Sequence, residues 1–366
     1  MAVSRQQSPL GRIDWPLIAM VGGLATIGVI NLQSTSAAAN SQIYLKQIYF
    51  LLIGTGVMAV VAAINYRSLQ RYAPVFYGGV VTLLALVLVV GKEVNGSRRW
   101  FDFGGTSFQP SELAKLAIIL MLATWFNKVR RPGGYTLRDL VPAAALLGAP
   151  MFLILQEPDL GHTLMLMFIG MSMLAFERFD RRALISLIGA GVASLPLMWM
   201  FVLRPYQKDR ILTLLDGKTD TLGSGWHAFQ ARVAVGSGEF FGKGHGQGTQ
   251  VSGGFLPENH TDFVFANFAE EQGFIGAAGV LLLYMAIILW ALRIAVQARE
   301  KFGGHVAVGV AALLFWQVFM NVGMVLNVLP VTGVTLPLMS YGGSSVLTIM
   351  AAFGLLLNIR LRRTIF

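Results

Sequence analysis

The sequence has no cysteine. That excludes disulfides, thiolate metal sites, cysteine nucleophiles and acylated-cysteine anchors, and it leaves the redox compartment unread. Charge is scarce too. Asp, Glu, Lys and Arg make up 13% of 366 residues, about half the share of a soluble domain. Acids are the scarcer sign, 18 against 28 Lys and Arg. No internal repeat is visible, which disfavours the inverted-repeat transporter architectures. No segment alternates as a membrane β-barrel strand does. What is abundant is apolar surface: 55% hydrophobic residues and a mean hydropathy of +0.63. The composition is that of an all-α polytopic membrane protein, because helices and closed barrels are the structures that satisfy every backbone polar group in lipid.

A bilayer core takes about 20 mainly apolar helical residues. Windows of that kind run over 15–33, 47–65, 72–91, 112–127, 140–156, 162–176, 183–202, 274–294, 305–328 and 344–359, so about ten transmembrane helices are expected. The first is read as a retained helix, because the basic segment before it leads to no small-residue cleavage site. The whole chain, 1–366, reads as one transmembrane domain.

The net charge of +10 raises the question of nucleic acid, but the placement of the charge answers it. One set of short loops collects Arg5, Arg12, Arg67, Arg71, Lys128, Arg130, Arg131, Arg138, Arg178, Arg181, Arg182, Arg293, Arg299, Lys301, Arg360, Arg362 and Arg363, which is 17 of the 28 basic residues. The opposite short loops hold Lys46, Lys92, Arg98 and Arg99. This asymmetry places both termini in the cytoplasm and makes the excess a topology signal with attraction to anionic membrane lipids. No nucleic-acid partner is expected. Residues 203–273 then form a polar, glycine-rich outer loop between helices 7 and 8, partly ordered on the membrane surface around the amphipathic stretch "WHAFQARVAV" at 226–235.

Ionisable residues at membrane depth mark functional sites, since each costs at least about 2.5–3.5 kcal/mol there. "QPSELAKLAIIL" sets Glu112 and Lys115 three apart on one helix face, either as a functional pair or as an ion pair locking the bundle. Pro110 and Ser111 suit the helix start, with Ser111 a candidate N-cap. "QEPDLGHT" puts Glu157 and Asp159 in a short outer turn, where a solvated turn with a capping aspartate is the plain alternative. "RPYQKDR" supplies Arg204, Gln207, Lys208 and Arg210, suited to holding diphosphate oxygens or to snorkelling at the headgroups. "GSGEFFGKGHGQGTQ" fails the phosphate-loop pattern, because three residues separate Gly238 from Gly242 and Lys243 is followed by Gly244. It can still present Lys243 and Thr249 to a substrate. In "PENHTDF", Asp262 precedes an apolar run and is the candidate general base, with Glu258 and His260 in support. The alternatives there are an N-cap role for Asp262 and a weak two-residue metal contact with His260.

"RRWFDFGGTSFQPSELAKLA", "QEPDLG", "YQKDRILTLLDG", "GSGWHAFQARVAVGSG", "FLPENHTDFVFANFAEEQGFIG" and "LPVTGVTLPLMSYGGSS" occur in that order. Together they resemble the shape, elongation, division and sporulation (SEDS) family of bacterial membrane proteins, over residues 10 to 360. "GKGHGQGTQ" and the compact termini resemble its rod-shape branch more than its division branch. The resemblance implies ten transmembrane helices and a peptidoglycan glycosyltransferase that polymerises lipid II outside the cytoplasmic membrane. It also implies work with a class B penicillin-binding protein and the elongation machinery. The family's essential acid falls on Asp262, its Glu–Lys pair on Glu112 and Lys115, and further polar positions on Arg99, Asp159, Gln207 and Arg210. Asn259, before His260, marks a variable position. No organic cofactor is implied, and a divalent cation such as magnesium is left open.

The chemistry fits. Glycoside hydrolysis needs two carboxylates because an alkoxide leaves poorly, whereas a diphosphate leaves as a stable anion. One base plus cations suffices. Asp262 would take the proton of the acceptor hydroxyl, while Arg210, with Lys115 or magnesium, would stabilise the diphosphate, inverting an α-linked donor to a β-1,4 bond. Composition and topology leave two rivals standing: a lipid II flippase, and a non-catalytic scaffold for wall synthases.

Overall fold

The structure is a computed structural model that describes residues 14–38, 42–94, 97–102, 104, 107–129, 134–178, 180–203, 205–216, 224–256 and 258–362. Arg5, Arg12, Arg130, Arg131, Arg204 and Arg363 lie outside the described residues. The helices are α1 (Trp15–Ala38), α2 (Ile43–Ala63), α3 (Tyr66–Val90), α4 (Pro110–Lys128), α5 (Leu137–Gln156), α6 (Leu160–Ala175), α7 (Arg181–Leu197), α8 (Pro205–Asp216), α9 (Ser224–Ser237), α10 (Thr249–Ser252), α11 (Val264–Gln297), α12 (Lys301–Val325) and α13 (Gly343–Arg362). Nine of the ten apolar windows fall on one helix each, and the window 183–202 runs over α7 and a π-helical segment, Met198–Val202. Among the described residues seven helices, α1, α2, α3, α5, α11, α12 and α13, are long and apolar enough to cross a membrane. Of the others, α4 carries Glu112 and Lys115, and α6 has only 16 residues.

The bundle is graded from inside to outside. In α13, 78% of the apolar window is buried, and in α12 72%, against 11% in α2. The helices α4, α6, α12 and α13 form the centre, and α2 and α3 present Leu52, Val60, Val75 and Val89 outward as a lipid face. The α12 sequence explains its central place. Gly303, Gly304, Ala307, Gly309, Ala311 and Ala312 keep its surface thin, and a Cβ on Gly309 would meet the Ile119 side chain at 2.6 Å. Small residues of this kind let membrane helices approach closely.

The segment after α3 is an element that the sequence reading did not foresee. It folds as a three-stranded antiparallel sheet in the order β1 (Lys92–Val94), β2 (Ser97–Asp102) and β3 (Ser107–Phe108). Glu93 pairs opposite Arg98, with 3.3 Å between their charged atoms. Alternation along β2 then sends Arg99 to the other face.

The loop expected over 203–273 is largely helical, and this corrects its bounds. The expected amphipathic stretch does form a helix, α9, which packs on α11 and has Ala228, Ala231 and Ala234 buried. The next helix starts at Val264, and Gly273 (φ +66°, ψ −167°) breaks it where the apolar span was expected to begin. A break frees backbone groups that lipid cannot satisfy. Residues 239–244 supply the partners. The amides of Lys243 and Gly244 donate to the Glu270 and Glu271 carbonyls, both at 3.0 Å, and the amides of Phe274 and Ile275 donate to the Glu239 and Phe240 carbonyls at 2.8 and 3.2 Å. Gly242 is obligatory in this stitch, since a Cβ would come 2.1 Å from the Glu271 carbonyl oxygen.

Candidate active site

The first half of α4 sets one wall. Gln109, not Ser111, is its N-cap residue and Pro110 occupies its first turn, where the missing N–H costs nothing. Glu112 and Lys115 are buried and their charged atoms lie 2.8 Å apart. The turn between α5 and α6 meets this wall. Asp159 caps α6 by accepting from the His162 amide at 3.1 Å, and it is buried instead of solvated. His162 lies three residues on, where its ring reaches Asp159 Oδ2 through Nδ1 and Glu112 Oε1 through Nε2, each at 2.9 Å. Contacts to two carboxylates call for a proton on each ring nitrogen, that is, the imidazolium. Arg99 completes the row. It donates to the carbonyls of Glu157 and Pro158 at 2.9 and 2.5 Å and lies 3.8 Å from Asp159 Oδ2.

Charges therefore alternate across three elements: Arg99, Asp159, His162, Glu112, Lys115. Burial alone would raise the Asp159 carboxyl, but His162 and then Arg99 outweigh it and hold the group below the usual range. Glu157 behaves oppositely. Burial, and next the charge of Asp159, push its carboxyl up to about 8.

The second wall comes from residues 258–262 and 333–345. Glu258 has φ +51°, and its carbonyl accepts the amides of Thr261, Asp262 and Phe263 in a tight turn. The turn is pinned from outside: Asn321 of α12 donates to the Asp262 carbonyl at 2.9 Å, Ser340 to the Thr261 carbonyl at 2.6 Å, and the Tyr341 amide to the His260 carbonyl at 2.8 Å. The cap of α11 is Phe263, without a side-chain cap, so Asp262 is not spent on a helix end. Gly333 (φ +71°) approaches so closely that a Cβ there would lie 3.4 Å from Asp262 Oδ2.

These walls enclose a cavity of about 580 Å³ lined by Asp262, Glu258, Arg99, Asp159, Glu112 and His162 among others. Leu45, Tyr49 and Phe50 of α2 give it an apolar side next to the lipid face, and Lys46 adds a cation. Four expected residues thus meet in one place: Asp262, Glu112, Asp159 and Arg99. Lys115 pairs with Glu112 but is not on the cavity wall. Lys243 and Thr249 are not on it either: Lys243 Nζ lies 2.6 Å and the Thr249 hydroxyl 2.9 Å from Glu270 Oε1. Gln207 is buried on α8, away from the wall, and the Arg210 side chain lies outside the described residues. His260 contributes its carbonyl and a ring 6.1 Å from that of Tyr341.

His162, Lys46 and Gln109 were missed by sequence reasoning. His162 did leave a signal, a polar residue one turn after a capping aspartate in an otherwise apolar helix. Among the described residues no three His, Asp or Glu side chains converge as a metal site. Glu112 and Asp159 already hold cationic partners, so a magnesium cage built by the protein does not fit.

Residues 14–365 match the FtsW/RodA/SpoVE family model, described as a cell cycle protein. Over 322 residues the chain is 40% identical to the peptidoglycan glycosyltransferase MrdB of Escherichia coli strain K12, covering 87% of this chain and 85% of that protein. It is 34% identical over 361 residues to a probable peptidoglycan glycosyltransferase FtsW of Geobacter sulfurreducens, with 96% of each covered. Among solved structures it resembles a chain from work on the coordination of polymerization and crosslinking by a peptidoglycan synthase complex. The TM-score is 0.82 at 34% identity, over 96% of this chain and 98% of that one.

Proposed function

The chain belongs to the FtsW/RodA/SpoVE family of cell cycle proteins and is a peptidoglycan glycosyltransferase; we propose that it polymerises lipid II during cell elongation, with Asp262 as general base. The observation that carries this reading is the place of Asp262, on the wall of a space large enough for a sugar that it shares with two cations, Arg99 and Lys46.

Asp262 takes the proton of the acceptor 4-hydroxyl as that oxygen bonds to the donor anomeric carbon. The anomeric C–O bond breaks on the opposite face, and its electron pair leaves with the undecaprenyl diphosphate. Inversion turns the α-linked donor into a β-1,4 product. Of the basic residues, Arg99 and Lys46 line the cavity and can neutralise the diphosphate. His162 holds Glu112 and Asp159 in place, so their charges are fixed when the substrate arrives. The α2 side gives the polyprenyl tail a route to lipid while the sugar stays wet. Any divalent cation would be brought by the diphosphate, and no step here depends on it.

The basic loops support an orientation with cytoplasmic termini and the cavity outside. The higher identity to MrdB supports the elongation branch over the division branch. The relative found in a synthase complex supports a crosslinking partner, a class B penicillin-binding protein. The test is purified chain with lipid II, with and without that partner and with and without chelator, read by product length. Glycan chains that vanish in Asp262→Asn support the base. Transbilayer movement of lipid II without glycan would mean a flippase. Normal cell shape supported by Asp262→Asn would mean a scaffold.

A further inference from the structure

On the face opposite the Asp262 cavity, the start of α3, the α11–α12 connection and the last turns of α13 surround a second cavity of about 270 Å³. Arg67, Arg299 and Arg362 line it against one carboxylate, Glu300. That carboxylate neutralises little. It stands 3.8 Å from Arg67, and both side chains are well exposed, at 40% and 70%. Arg299 has no carboxylate partner among the described residues. The Arg362 guanidinium is fixed by donating to the carbonyls of Ala63 and Ile64 at 3.0 and 2.9 Å, while its Nε is buried without an acceptor.

The backbone adds the same sign. The N-termini of α3 and α12 reach this cavity through Asn65, Tyr66 and Gly303, and neither helix has an acid in its first turn. Asn65 caps α3 by accepting from the Arg67 amide at 3.1 Å, and Glu300 is the N-cap residue of α12 without a side-chain cap bond, so this one carboxylate is set against the positive ends of two 25-residue helices as well as the arginines. Residues that only set topology give a diffuse basic rim. Here three guanidinium groups line one open pocket between the ends of spanning helices, with Ile359 as an apolar wall.

We propose that this cavity binds the phosphate of an anionic phospholipid in the leaflet opposite the Asp262 cavity. Such basic pockets between membrane helices match phospholipid headgroups, and Arg recognises phosphate oxygens in bidentate fashion. A bound headgroup would tie the α2–α3 and α11–α12 connections to the last turn of α13. The inference is independent of glycosyl transfer.

The test is native mass spectrometry of the full-length purified chain titrated with phosphatidylglycerol or phosphatidylcholine. The wild type should retain one phosphatidylglycerol in preference to phosphatidylcholine. Arg299→Gln, which removes no helix cap, should weaken that binding about fivefold, and Arg299→Gln/Arg362→Gln further. Arg181→Gln, on the same face but outside the cavity, should leave it unchanged. Displacement of phosphatidylglycerol by millimolar inorganic phosphate would mean that a soluble anion and not a lipid occupies the cavity, which also overturns the proposal. Unchanged phosphatidylglycerol affinity in the folded Arg299→Gln variant, or an equal loss in Arg181→Gln, overturns the proposal.

Discussion

Asp262 and Glu270 stand close together in one polar segment, and the structure uses them in opposite ways. Glu270 is fully buried; its Oε1 lies 2.6 Å from Lys243 Nζ and accepts from the Thr249 hydroxyl and amide at 2.9 and 2.8 Å. Its lone pairs are occupied, and its task is to clamp residues 243–250 onto the broken α11. Asp262 has its backbone pinned by neighbouring elements while its side chain lies on the wall of a 580 Å³ cavity. A saturated carboxylate is a structural anchor. One whose backbone is pinned at a cavity wall is placed where a substrate can meet it.

The sharpest way to test the difference is Asp262→Asn. Lipid II polymerisation should fall about 10²–10⁴-fold, with the thermal unfolding temperature in detergent within about 2 °C of wild type. Glu270→Gln should do the reverse, lowering stability by about 2 kcal/mol because Lys243 loses its counter-charge, with the surviving folded protein polymerising normally. Calorimetry paired with a turnover assay reads both, and an exchange of the two outcomes would erase the distinction.

His162→Gln probes a residue that joins the two behaviours, since it is buried like an anchor yet lies on the cavity wall. Polymerisation should drop about tenfold, worth about 1.4 kcal/mol, with a smaller loss of stability. A purely structural histidine would show the stability loss alone.

The smallest effect concerns Glu157, a buried acid with neither role. Its carboxyl is raised to about 8 in the folded chain. Stability from a raised acid is fully present below its unfolded value and is lost as pH rises through the folded one. The unfolding temperature of the wild type should therefore decline between pH 5 and 8 relative to Glu157→Gln, and the two should converge near pH 5. Parallel curves would show that Glu157 is not raised.

Much of this was legible in the sequence, for identifiable reasons. Apolar windows locate membrane helices because lipid leaves the backbone few alternatives. Asp262, Glu112 and Asp159 were each legible as polar residues set against apolar runs, and Arg99 was legible only through the family resemblance. Lys243 and Thr249 looked equally available, because a glycine-rich stretch does not reveal that a carboxylate on another helix will occupy them. The sheet carrying Arg99 was missed because its strands of 3, 6 and 2 residues are too short to show a period. The α9 helix was legible but its packing on α11 was not, since its buried positions include Ala228, Ala231 and Ala234, which carry almost no hydrophobic contrast.

The sequence by itself determined that this chain lives in a bilayer, which loops carry the basic excess, and which few charges are costly enough to need a purpose. Those are properties of composition and local pattern against a known solvent. The tertiary structure decided which charges meet. It placed His162 between Glu112 and Asp159, sent Lys243 to Glu270, and left Asp262 facing a cavity. Pairing depends on distances between helices far apart in the chain, and such distances are set by packing, which no local stretch encodes.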